Sequence, residues 1–111
     1  MAQRDPQLDP GENVIRSGSA NLHRGVENVG GKLHLTNQHL AFVPHAVNVQ
    51  KANVRIPLSE ITSVEPVWTK FLKVIPMVPN SLAVRLRDES ELRFVLTKRL
   101  EWKQEIEKYR S

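Results

Sequence analysis

Period-two alternation of apolar and polar residues dominates the middle of the chain. In GGKLHLTNQHLAFVPH, Leu33 and Leu35 alternate with Lys32, His34 and Thr36, and Leu40 and Phe42 alternate with His39, Ala41 and Val43. A hairpin closed at Asn37-Gln38 pairs Leu35 with Leu40 and Leu33 with Phe42, so four apolar side chains share one face. Asn37 suits the positive φ of a tight turn. The signature returns in Leu82, Val84 and Leu86, then in Leu92, Phe94 and Leu96, with Asp88-Glu89-Ser90 between them. A second hairpin follows, in which a three-residue turn sets Arg87 across from Glu91 and Arg85 across from Arg93.

The flanking segments are less regular. Short apolar pairs among glycines over 11–31 suit two short, bent strands. Val54, Ile56 and Leu58 alternate as a strand, which Pro57 marks as an edge or an end. A turn and a further strand are expected over 59–65, and a strand with a loop over 66–79, where three prolines interrupt an apolar run. Over 97–111 the period changes: Trp102, Ile106 and Tyr109 recur at helical spacing, Thr97 can cap the start, and Lys103, Lys108 and Arg110 fall late, where cations favour the helix dipole. Residues 1–10 can bury little and read as a flexible tail before a single domain over 11–110. About seven strands and one terminal helix leave no helical crossovers for a parallel sheet. The predicted fold is therefore mainly β: an antiparallel, seven-stranded, partly open barrel or sandwich whose mouth the helix plugs.

This order of features resembles the GRAM domain of the pleckstrin-homology-like superfamily. The resemblance is carried by Gly11-Glu12, by the run from Gly30-Gly31 through Leu35-Thr36-Asn37-Gln38-His39-Leu40 to Pro44-His45, by Ile56-Pro57-Leu58-Ser59-Glu60-Ile61, by Arg93-Phe94-Val95 and by Trp102. It implies a noncatalytic module that binds anionic lipid or a membrane-associated protein. Members often carry Asp-Gly between the last two strands, where this chain has Asp88-Glu89-Ser90.

Composition narrows the chemistry. The 111 residues include no cysteine, which removes disulfides, thiolate metal sites and a cysteine nucleophile. The chain has no Gly-x-Ser-x-Gly turn, Walker loop or GxGxxG before a helix, and no enzyme, cofactor or resident metal is expected. His34 and His39 fall on one outer face as diagonal neighbours, but with no carboxylate of the hairpin beside them they read as solvated strand histidines rather than zinc ligands. No signal-like or membrane-spanning stretch appears, so a cytoplasmic protein, peripheral at the inner membrane surface, is the expectation.

Charge adds the sharpest expectation. The net charge is +4, and the stretch 70–99 alone holds seven basic and three acidic residues. Lys70, Lys73, Arg85, Arg87 and Arg93 are the candidate contacts for an anionic lipid. Two guanidiniums facing each other at Arg85 and Arg93 invite a bridging anion, or splay into water. Trp68, Phe71 and Ile75, in the lysine-bearing segment 68–78, are the candidate membrane or partner contacts, or else fill a half-buried strand. Nucleic acid is disfavoured, because the helix balances its lysines with Glu101, Glu105 and Glu107. The alternative to a lipid is a protein partner, a second copy of the chain included, docked on the same loop or on the edge strand containing Val54 and Ile56.

Overall fold

The alternating segments close in register: Leu33 pairs with Phe42 and Leu35 with Leu40. The computed structural model describes residues 7–24, 27–45, 53–69 and 78–110, with side chains except at 24, 27, 68, 69 and 78–80. The strands are β1 (Val14–Arg24), β2 (Glu27–Thr36), β3 (His39–Pro44), β4 (Val54–Pro57), β5 (Ile61–Thr69), β6 (Val78–Leu86) and β7 (Glu91–Val95), followed by the helix α1 (Arg99–Arg110). A 3-10 turn, Leu58–Glu60, leads from β4 into β5. All seven strands form one antiparallel sheet in the order β4-β3-β2-β1-β7-β6-β5. The sheet is not closed: β4 and β5 are its two edges, as Pro57 indicated for β4.

The eight side chains that carry the alternation and the helix, Leu33, Leu35, Leu40, Phe42, Leu82, Leu92, Phe94 and Trp102, all enter one buried cluster. Phe42 of β3 meets Phe94 of β7 with ring centroids 5.8 Å apart, so the two halves of the sheet share one core. Burial of each such side chain is worth roughly 1.5–3 kcal/mol. Trp102 and Ile106 of α1 are buried against it and Tyr109 packs at its margin.

Three local expectations are corrected. Over 11–31 the strands are long: β1 pairs with β2 from Val14 to Arg24, and β2 runs through Gly30-Gly31 without a break. Gly31 answers a close approach, since a Cβ there would lie 2.7 Å from the Phe42 ring and 2.8 Å from Pro44 Cα and would strike the Val43 carbonyl. In the first hairpin, positive φ among the described non-glycine residues occurs at Glu89 and Lys98, not at Asn37. The Thr36 hydroxyl makes the turn instead by accepting the Gln38 and His39 N–H groups at 3.0 and 2.8 Å.

The third correction is the β6–β7 register. Arg85 faces Glu91 and Ala83 faces Arg93, so the two arginines do not oppose each other. The turn is centred one residue earlier than expected, because Glu89 adopts φ 71° and its N–H bonds the Leu86 carbonyl while Leu86 N–H bonds the Ser90 carbonyl. Asp88 Oδ1 accepts from Ser90 N and Oγ and fixes the bend. Inside and outside faces survive the shift, because pairing moves by two positions.

Candidate functional site

Three polar regions stand out, and they differ in how completely their charges are satisfied. The first gathers residues that are far apart in sequence. The segment before β1 turns at Gly11, φ 79°, and Glu12 N bonds the Asp9 carbonyl. Glu12 thereby enters the outer face of the β2–β3 hairpin with its side chain only 1% exposed. Its carboxylate accepts from Asp9 N at 2.8 Å, from Thr36 Oγ1, from His39 Nδ1 at 2.8 Å and from Arg55 Nη2 at 3.3 Å. Burial alone would raise its pKa, but the bonds from Asp9 N, Thr36 and the His39 imidazole hold it down to about 2. Asn37 ties the same segment down, accepting from Asn13 N and donating to the Gly11 carbonyl.

The histidines are therefore not solvated strand residues. His39 is paired with Glu12, and His34 is 3% exposed with its Nδ1 2.7 Å from Ser17 Oγ. The hairpin supplies no carboxylate, as expected, yet Asp9 and Glu12 come to it from outside. Asp9, Glu12 and His39 lie close enough to share a cation, but Arg55 Nη2 already bonds both carboxylates, at 3.0 and 3.3 Å. The arrangement is a closed polar clamp. The sequence contained its parts, Gly11-Glu12 and Thr36-Asn37-Gln38-His39, without any signal that they meet.

The second region is the β6–β7 turn. Glu91 stands between Arg85 and Arg93, its Oε2 3.1 Å from Arg85 Nη2 and its Oε1 3.1 Å from Arg93 Nε. Arg87 donates to the Ser59 carbonyl at 2.7 Å. The three expected arginines thus lie on the described surface, with three acidic residues, Asp88, Glu89 and Glu91, on the same turn. Bonds from Ser90 hold Asp88 below its ordinary pKa, so it stays ionised.

The third region is the opposite end of β6, where α1 begins. Arg99 Nη1 donates to the Val67 carbonyl at 2.7 Å and reaches the Ser81 carbonyl at 3.5 Å. Further along, Lys103 Nζ bonds the Val64 carbonyl at 3.0 Å and Arg110 Nη1 the Ile61 carbonyl at 3.0 Å. Three helix cations therefore occupy carbonyls of the edge strand β5, a job the sequence did not reveal; periodicity alone assigned the late cations to the helix dipole. Glu107 holds both Lys103 and Arg110. Burial would raise its pKa, and those two bonds more than offset that and lower it. The helix start turns at Lys98, φ 56°, whose carbonyl accepts Trp102 N, rather than at Thr97.

At this end β5 and β6 part at Thr69 and Val78. Lys70, Phe71, Lys73 and Ile75 and the Trp68 side chain lie outside the described residues. Val78 is seven residues from Arg85 along β6, about 23 Å of strand. The chain thus leaves the described residues for 70–77 at one end of β6, while Arg85 lies toward the other. The seven-to-three excess divides into three against three at the β6–β7 turn and four against none in the rest of the stretch, of which Lys98 and Arg99 are described at the start of α1 and Lys70 and Lys73 lie outside the described residues. Outside those four, basic and acidic residues number twelve each.

The GRAM domain model matches residues 2–101, which take in all seven strands and the first turn of α1. The chain belongs to the GRAM domain family. Solved structures similar to it include the Vps36 N-terminal PH domain, with a TM-score of 0.71 at 19% identity over 96% of this chain and 85% of that one. A C-terminal domain of an unknown protein from Leishmania infantum gives 0.72 at 18% identity over 91% and 86%. The Slm1 PH domain in complex with phosphoserine gives 0.61 at 14% identity over 84% and 91%. These likenesses show the pleckstrin-homology-like fold. No curated protein matches the sequence. GRAM and pleckstrin-homology-like domains are typically lipid- or protein-binding modules, and no helix among the described residues of this GRAM domain is long and apolar enough to cross a membrane.

Proposed function

We propose that this GRAM domain is a noncatalytic module that binds anionic lipid headgroups of the phosphoinositide type at the cytoplasmic face of a membrane. The observation that carries the reading is the segregation of charge. The residues over 66–84 and 95–100 include four cations and no carboxylate, and the Arg99 bonds to Val67 and Ser81 tie the two stretches together. Lys70 and Lys73 meet phosphate, and Trp68, Phe71 and Ile75 enter the headgroup boundary. The phosphoserine held by the Slm1 PH domain is an anion of the same kind.

Arg85, Arg87 and Arg93 have a weaker claim. An anion there must displace Glu91 from two ion pairs. The protein-partner alternative is narrowed in a similar way. Helix cations bond three carbonyls of β5, those of Ile61, Val64 and Val67, and no such contact is described for β4, which makes β4, with Val54 and Ile56, the more open edge for another strand.

Co-sedimentation with phosphatidylcholine vesicles of rising anionic fraction tests the proposal. Binding should rise with that fraction and fall as salt is added. Binding indifferent to both, together with a stable dimer in light scattering, supports the partner reading instead.

A further inference from the structure

We infer that the first turn of α1 lies against the anionic bilayer, with Lys98 at the headgroups and Leu100 in the interface. This rests on the lipid reading above and says which way the domain faces. Leu100 is 60% exposed, more than either of the other large exposed hydrophobic residues among those described, Leu8 and Val14. It is two residues from the buried Trp102, about 200° around the helix, so it points away from the sheet. A single exposed leucine is ordinary on any surface. This one shares a shallow depression with Lys98, Arg99 and Glu101.

Charge supplies the second argument. Lys98 is exposed and has no described ion pair, while Glu101, the acid nearest to it in sequence, is taken by Arg16 at 3.2 Å. Glu65, on β5, is paired with Ala83. A lysine stem can lie along apolar surface with its ammonium at phosphate depth, and a leucine two residues on, lining the same depression, adds apolar burial, the combination of an interfacial contact. Position supplies the third. Arg99 fastens this turn to Val67 and Ser81, so Lys98 and Leu100 are held rigidly at the end of the sheet from which 70–77 departs. The β6–β7 face offers no comparable surplus, because Glu91 holds Arg85 and Arg93.

The test uses the full chain and vesicles of phosphatidylcholine with about 25 mol % phosphatidylserine and about 5 mol % phosphoinositide. Lys98→Asn suits the left-handed backbone and removes the charge; it should weaken binding about fivefold, as loss of one surface cation does. Leu100→Gln should weaken it by about tenfold, the loss expected of one partly inserted leucine. Arg85→Gln with Arg93→Gln should leave it unchanged. All four positions are exposed, and circular dichroism checks that each variant keeps its fold. Binding lost with the arginine pair but not with Lys98→Asn or Leu100→Gln overturns the orientation while sparing the lipid reading. Wild-type protein that ignores these vesicles overturns both and leaves an acidic protein surface as the partner.

Discussion

The Glu12 corner and the start of α1 treat charge in opposite ways. At the corner, a carboxylate that is almost fully buried receives an imidazole, a guanidinium, a hydroxyl and a backbone N–H, so no polar capacity is left over for a ligand. At the α1 start, Arg99 is spent on two strand carbonyls, while Lys98 stands in water beside an exposed leucine with no carboxylate assigned to either. Buried charge without partners costs several kcal/mol, so the first pattern is what holding a fold requires. Exposed surplus charge costs little, so the second persists without a structural reason and is available for recognition.

The comparison breaks first if the corner proves dispensable. Glu12→Leu should destabilise the domain by about 3–5 kcal/mol, since it leaves Arg55 and His39 without their buried partner, whereas Lys98→Asn should stay within about 0.5 kcal/mol of wild type. Urea unfolding followed by tryptophan fluorescence reads both. A Glu12→Leu midpoint close to wild type would remove the corner's structural role.

Acid sharpens the same contrast. Glu12 is held at about 2 against an ordinary 4.5, so the folded state binds its proton less readily than the unfolded chain. Its contribution is complete above pH 4.5 and is lost as pH falls from there toward 2. Glu107 is shifted in the same direction and adds to that loss. The urea midpoint should drop over this window, and Glu12→Gln should drop less steeply. Equal slopes in the two proteins would mean that other carboxylates carry the acid sensitivity.

The smallest effect is at the balanced arginine turn. Glu89 adopts a left-handed φ that glycine takes at less cost, so Glu89→Gly should stabilise the domain by about 0.5–1 kcal/mol. The variant also leaves three arginines against two acids there. Binding to anionic vesicles should change little; a sharp rise would show that the arginine end, once unbalanced, is the better lipid surface.

What could be read from the chain was whatever recurs locally. Leu33, Leu35, Leu40 and Phe42 specified a register through one turn, and Trp102, Ile106 and Tyr109 specified a helix face, because each pattern is repeated within a few residues. The β6–β7 register slipped because alternation is unchanged when pairing moves by two positions, and only the left-handed Glu89 locates the turn. Contacts between distant segments left no periodic trace. Glu12 meets His39 across 27 residues and Arg110 meets Ile61 across 49, so the clamp and the covered edge of β5 emerge only in three dimensions. The same blindness made one basic stretch of what the fold separates into a neutralised end and a surplus one.

Orientation on the bilayer is the claim on which the functional account turns. It is read most directly from amide signals of the labelled protein bound to phosphatidylserine vesicles that carry spin-labelled lipid. The account predicts strong attenuation at residues 97–101, with the amides of 36–40 and 85–93 spared. Attenuation centred on 85–93, with 97–101 untouched, would contradict it.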